Sequence, residues 1–239
     1  MAKKIILLIV EGPSEVTALA MPLRSLLKRA NVEFQIVGTD ITSRTGVNPQ
    51  NIKEKLRDEV FKFLKPPLPP RFREEDLIEV LLVTDMDGAY IPPEAISEDA
   101  AYQKAFYTQE HIFHEDRNKV ILPHESKQKN LDTLIPIKKL TLRKKTKKQN
   151  EIVVPFRVYY FSCNLDHALY NEQNLPDKEK VPRAEIFELM YGDNPDGLLS
   201  FFEEIAVPCK EFYDSWDYIK QGLNSLQRGS NFHVYLKGI

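Results

Sequence analysis

Residues 5–15, Ile5-Ile-Leu-Leu-Ile-Val10-Glu11-Gly-Pro-Ser-Glu15, decide the fold class. An unbroken β-branched and aliphatic run leaves no face for solvent, which is the pattern of a strand covered on both sides in a mostly parallel sheet. Gly12 and Pro13 end the run, and Ser14 is placed to cap a helix whose apolar positions Val16, Leu19, Ala20, Leu23, Leu26 and Leu27 keep helical spacing to about Ala30. Residues 32–37 predict a second short strand, and residues 40–49 a polar loop. Strand, helix, strand opens an α/β domain, in which polar groups at the carboxyl ends of the strands form the site.

Working outward, residues 51–65 predict an amphipathic helix through Ile52, Leu56, Val60, Phe61 and Leu64, and Pro66-Pro-Leu-Pro-Pro70 stops it in an extended connector. Residues 77–84 form a third buried strand, ending at Asp85-Met-Asp-Gly88. From Tyr90 to about Pro155 the periodicity is lost, and residues 138–148 carry seven Lys or Arg side chains, so residues 91–155 are expected to be an irregular insertion with a basic loop. Residues 156–161 return to strand character and lead into Ser162-Cys-Asn-Leu-Asp-His167; helices are expected at 183–191, 197–205 and 212–226. The expected organisation is an α/β core begun by residues 1–90, the insertion, and a last core strand with a mainly helical part over 156–239.

With 239 residues the chain can build a large core, and its 42% apolar and 28% charged residues exclude a wholly disordered or collagen-like chain. Lys and Arg number 33 against 35 Asp and Glu, so the net charge of -2 gives no global attraction to nucleic acid, and any such binding must be local. Two cysteines, Cys163 and Cys209, support neither a disulfide framework nor a four-cysteine zinc site and are expected as buried thiols in a reducing compartment. The run at 5–10 is too short for a signal peptide, and no stretch approaches the roughly 20 residues of a bilayer span, so a cytoplasmic protein without membrane association is expected.

Glu11 at one strand end, Glu15 four residues on, and Asp85 and Asp87 at another strand end would gather four carboxylates if the strands are neighbours. Their repulsion is commonly relieved by a hard divalent cation, Mg²⁺ or Mn²⁺, which activates a nucleophile and bridges phosphate oxygens. Asp85 and Asp87, as alternate residues of an extended segment, are expected to point the same way, with Met86 turned into the fold.

These residues resemble the TOPRIM family, the topoisomerase and primase module also found in OLD-type and RloB-type nucleases of bacterial phage defence. Val10-Glu11-Gly12-Pro13-Ser14-Glu15 after its hydrophobic strand is similar to the family's first motif, and Leu81-Leu-Val-Thr-Asp85-Met-Asp87-Gly88 to its D-x-D motif, so the resemblance covers about the first 90 residues. It implies a TOPRIM-like, mostly parallel sheet flanked by helices, with Glu11 as catalytic acid or base and metal neighbour, Asp85 and Asp87 as catalytic metal ligands, and Glu15 as the further carboxylate of the OLD-like branch. It also implies a Mg²⁺-dependent endonuclease acting on DNA or RNA, an effector of abortive infection regulated by an ATPase partner. Ala89 stands where topoisomerases carry a third Asp, and neither an active-site tyrosine region nor a zinc-binding primase segment is present, which favours a small nuclease. The chain has no P-loop motif, so the ATPase would be a separate protein, and a nucleic-acid-binding subunit silent on its own is the alternative. D-x-D-G also resembles the haloacid dehalogenase phosphatase motif, with Asp85 as nucleophile, but that leaves Glu11 and Glu15 unexplained, and Asp193 and Asp196 match its downstream acidic motif only loosely.

Asp166 and His167, after the last strand, could complete the metal shell or orient water, although a helix N-cap by Asn164 or Asp166 is the plainer reading. The five histidines show no H-E-x-x-H spacing, and His111 with His114 reads as a solvated face. Phosphate contacts are expected from Lys144, Lys145, Lys147, Lys148, Lys180 and Arg183, with Lys220 and Arg228 as further cations of the C-terminal half. Phe212, Tyr213 and Trp216 read as core or partner contacts.

Overall fold

The apolar run forms β1 (Lys4–Val10), buried from Ile5 onward, and alternation along it divides the protein into two cores. Ile5, Leu7 and Ile9 face one core, and Ile6, Leu8 and Val10 the other. A computed structural model describes residues 4–27, 32–65, 72–143 and 151–239. The predicted helix follows as α1 (Pro13–Leu26), but its cap is Gly12, in extended backbone, and Ser14 lies inside the first turn. Leu27 closes the helix, while the expected extension to Ala30 and the proline connector at 66–70 lie outside the described residues.

After β2 (Val32–Gly38), α2 (Ile52–Leu64) and β3 (Leu77–Asp85), all close to expectation, the segment expected to be irregular is well structured. It holds a small sheet of β4 (Ile96–Glu98), β5 (Phe106–Tyr107) and β6 (Ile112–His114), then the helix α3 (Asn118–Leu134) and a strand, β7 (Lys139–Arg143). The buried residues of α3 include Val120, His124, Lys127, Asn130, Leu131 and Leu134; they keep helical spacing, but polar members interrupt the apolar stripe that would have revealed it. The first part of the basic run is thus a strand and not a loop; Lys144, Lys145, Lys147 and Lys148 lie outside the described residues.

The last core strand, β8 (Ile152–Ser162), begins before the expected boundary at 155, because Val154 and Phe156 both point into the same core. The main sheet runs β2-β1-β3-β8-β7, with the first four strands parallel and β7 antiparallel at the edge. This is an α/β fold. The remaining helices are α4 (Leu165–Tyr170), α5 (Asp177–Tyr191), α6 (Pro195–Glu204), α7 (Phe212–Ile219) and, after the short strand β9 (Gly229–Ser230) beside the end of β8, α8 (His233–Leu236). Two of these differ from expectation. α5 starts well before Arg183 and carries Pro182 inside it, and the helix expected over 212–226 breaks after Ile219 at Gly222, whose φ is 52°.

α1, α4, α5, α6 and α8 cover one face of the sheet, and α2, α3 and α7 the other. No helix among the described residues is long and apolar enough to cross a membrane. Trp216 is core, stacked edge-on against Tyr160 at 4.9 Å, whereas Cys209 is only half-buried, unlike Cys163.

The C-terminal part is fastened to β8 by Asn231, whose Oδ1 accepts the Tyr160 N–H at 2.8 Å and whose Nδ2 donates to Ser215 Oγ at 3.0 Å. Asn231→Leu leaves that buried N–H unpaired and should cost about 2 kcal/mol. Urea unfolding should show a lower midpoint with an unchanged slope.

Candidate active site

Parallel register brings the carboxyl ends of β1, β3 and β8 side by side, pairing Ile9 with Leu82 and Asp85 with Phe161. Glu11 and Asp85 therefore emerge as neighbours. Asp87 joins them differently from expectation: β3 ends at Asp85, and the chain turns through left-handed backbone at Asp87 (φ 51°) and Gly88 (φ 71°). The turn is held by Met86 N–H on Phe161 O at 3.0 Å and Asp87 N–H on Cys163 O at 2.5 Å. A Cβ at position 88 would lie 2.6 Å from the Ile112 side chain, so both the positive φ and the close approach require glycine there. Met86 points into the core as expected.

Glu11 Oε1 accepts hydrogen bonds from the Thr84 hydroxyl and from Asp85 N–H at 3.1 Å, and Thr42 Oγ1 stands 3.3 Å from it. The same oxygen is 3.2 Å from Lys127 Nζ. Lys127 reaches in from α3 with its side chain 2% exposed, and also donates to Asp87 Oδ2 at 2.5 Å and to the Asp85 carbonyl at 2.6 Å. Nothing in the sequence separates this lysine from its neighbours except its place in the Val120, Lys127, Leu131, Leu134 register. Thr42 and Thr84, hydrogen-bonded to each other at 2.9 Å, are equally silent in the sequence.

The other half of the cluster lies around Asp85 and α4. Asp85 Oδ1 accepts the Leu165 N–H at 2.9 Å. Glu15, on the first turn of α1, is 8% exposed, and its carboxylate accepts from Ser14 Oγ at 3.1 Å. Asp166, 5% exposed, pairs through Oδ2 with Lys180 at 3.1 Å, while its buried Oδ1 has no hydrogen-bond partner. Asn164 caps α4 by accepting the His167 N–H at 2.8 Å, and the His167 ring is buried beside Arg228. Asp40, whose Oδ1 is held by the Thr42 and Ser43 N–H groups, adds its charge from the loop after β2.

Burial raises Glu11 to about 7 against the pull of Lys127, with Asp87 and Asp40 adding to the rise. Asp85 is pushed well above the ordinary carboxylate range, by burial first and then by Glu11, Asp87 and Glu15. Burial likewise raises Glu15 and Asp166. For Lys127 burial works toward the neutral amine, but Asp87 and Glu11 outweigh it and hold the ammonium form.

Asp85 and Asp87 lie on a cleft of about 470 Å³ that Tyr102, Phe106, Tyr107, Asp166 and Lys180 also line. Among the expected cations that fall in the described residues, Lys180 lines it and the others do not. Arg183 is exposed further along α5; Lys220 pairs with Asp132 at 2.7 Å, and Arg228 donates to Ala168 O at 3.1 Å. Asp193 and Asp196 line a different cavity with Ser25 and Leu26, at the opposite end of α1 from Glu15.

As the side chains stand, no group of three or more His, Cys, Asp or Glu residues forms a ready metal cage among the described residues. The donor chemistry nevertheless suits a hard cation: the oxygens are carboxylates, their charge exceeds that of Lys127 and Lys180, and Asp166 Oδ1 is buried without a partner. Compared with known proteins, the chain matches no family model, no curated protein and no solved structure.

Lys127→Met leaves buried anions uncompensated and should destabilise the metal-free protein by about 3–5 kcal/mol at pH 8. Because Glu11 takes up a proton near pH 7, the loss should be smaller at pH 5.5, as denaturant titrations at the two pH values would show.

His124 is held to about 4, chiefly by burial and further by Lys127, against the opposing charge of Asp87. As pH falls from 6.5 to 4 the unfolded chain gains a proton there that the folded chain refuses, so stability should drop through that window. His124→Gln should flatten this part of the stability-pH curve.

Proposed function

We propose that this chain is a divalent-metal-dependent nuclease of TOPRIM type that hydrolyses phosphodiester bonds of DNA or RNA. The observation that carries the reading is the convergence of Glu11, Glu15, Asp85, Asp87 and Asp166 at the carboxyl ends of three adjacent parallel strands, beside a cleft. Mg²⁺ or Mn²⁺ would be held by Glu11, Glu15, Asp85 and Asp87, with Asp166 as a further oxygen donor, and when bound would polarise the phosphate and lower the pKa of a water.

Glu11, at the end of β1, would take a proton from the attacking water and return it to the leaving oxygen. Lys127, fixed by three oxygens, would set a positive charge beside Glu11 and Asp87 that offsets negative charge growing on a phosphate held there. Lys180 offers a phosphate contact at the cleft. The phosphatase alternative fits less well, since it leaves Glu11 and Glu15, which stand beside Asp85, without a role. A role as an effector of phage defence, with an ATPase partner, extends the resemblance of the two motifs; an ATPase gene beside this one would support it.

Plasmid, single-stranded DNA and tRNA should be cut in the presence of Mg²⁺ or Mn²⁺ and left intact in EDTA. Asp85→Asn should abolish cleavage while leaving the melting temperature of the metal-free protein unchanged or raised, because the neutral amide suits a position where burial disfavours a carboxylate and keeps Oδ1 for Leu165. Added Mg²⁺ should raise the melting temperature of the wild type and not of the variant. Binding without cleavage of any substrate would favour the silent-subunit reading, and neither binding nor cleavage would refute the nuclease.

A further inference from the structure

One wall of the cleft is aromatic, and the acidic cluster does not use it. Tyr102 and Phe106 stack with ring centroids 4.7 Å apart and planes 27° apart, and Phe113 lies 5.7 Å from Tyr102. In the β5–β6 pair Phe106 is opposite Phe113, and Tyr107 opposite Ile112. The fully buried Ile112 belongs to the small core of this region with Ile91, Ile96 and Leu226, and Tyr107 packs against that core. Tyr102, Phe106 and Phe113 lie outside it and remain half-buried. Their rings pack on one another and not into that core.

The wall is held firmly against the acidic floor. Asn174, just before α5, accepts the Tyr107 N–H at 2.8 Å and donates to the Tyr107 carbonyl at 2.7 Å, as a neighbouring strand would. Lys104 also pairs with Asp177 across the cleft at 3.1 Å. The cleft volume of about 470 Å³ falls within the range of sites for one small ligand, about 300–1,000 Å³. Tyr102 and Phe106 line this cleft beside Asp85, Asp87, Asp166 and Lys180.

We propose that Tyr102 and Phe106 form a stacking platform for one unpaired nucleobase adjoining the scissile phosphate, so that the substrate is single-stranded or locally unpaired nucleic acid. This rests on the nuclease reading and specifies its substrate. A base within a continuous duplex already stacks on its neighbours and must be extruded before it can lie on a protein ring, whereas an unpaired base is available at little cost. Stacking accepts every base, so the platform selects strand state and not sequence.

The test uses the wild-type full chain, with Ca²⁺ in place of Mg²⁺ to supply an oxygen-seeking cation that activates water poorly, and short DNA and RNA strands containing 2-aminopurine, whose fluorescence falls on stacking. The single strands should bind with quenching, and the matched duplex more weakly without it; the two strand chemistries distinguish a DNA from an RNA substrate. Tyr102→Leu with Phe106→Leu keeps apolar volume and should weaken single-strand binding by about 5- to 150-fold and abolish the quenching. Tyr102→Trp should preserve both. Unquenched single-strand binding by the parent protein, or undiminished binding by the leucine pair, overturns the platform and leaves the nuclease reading standing if the wild type cuts. Absence of any binding or cleavage overturns both.

Discussion

A buried ammonium group holds the site together. Lys127 crosses from α3 to the ends of β1 and β3 and, itself buried, neutralises Glu11 and Asp87 from the protein side. Removing these charges from water is costly, and the arrangement persists because each donor of the lysine finds an oxygen: two carboxylates and the Asp85 carbonyl. The constraint reaches into the fold, since α3 must lie against the sheet for the lysine to arrive. The segment between β3 and β8 is therefore no appendage. It supplies the counter-charge of the site through α3 and one wall of the cleft through β5.

The same constraint explains what was legible in the sequence. Strands β1 and β3 announce themselves because they are apolar on both faces, and their order with α1 and α2 suffices for the α/β class. Glu11, Glu15 and Asp85 are legible because they follow such strands directly, and Asp87 is legible by motif although it arrives through a left-handed turn. α3 is hidden because the residues it buries include His124, Lys127 and Asn130. A functional lysine on a buried face erases the periodicity that would disclose its helix. Pro182 hides the start of α5, and the Lys-rich composition of residues 138–143 hides β7. Thr42 and Thr84 are visible only through their contacts, since a threonine beside a strand end carries no signal of its own.

Electrostatically, the cluster is far from the balance of the whole chain. Glu11, Glu15, Asp40, Asp85, Asp87 and Asp166 face Lys127 and Lys180, whereas the chain overall is nearly neutral at -2. A polyanion approaching the metal-free cleft meets a repulsive local field. On the proposed function, cation binding and substrate binding are thus thermodynamically linked, each improving the other. The raised values of Glu11, Glu15 and Asp85 belong to the same energetics: protons occupy, in part, the place that a cation would take.

β7 bears on how copies of this chain coexist in a crowded solution. Among the described residues it is the last strand on its side of the main sheet, and an edge strand can offer N–H and C=O groups on which a second chain can template. Lys139 and Arg143 stand at its two ends, Leu140 and Leu142 turn inward, and Arg143 is tied to Glu74 at 2.5 Å. Two such strands brought edge to edge would set like charges against each other. Charged side chains along an edge strand are among the features that disfavour β-pairing between copies, and here they come from the basic run.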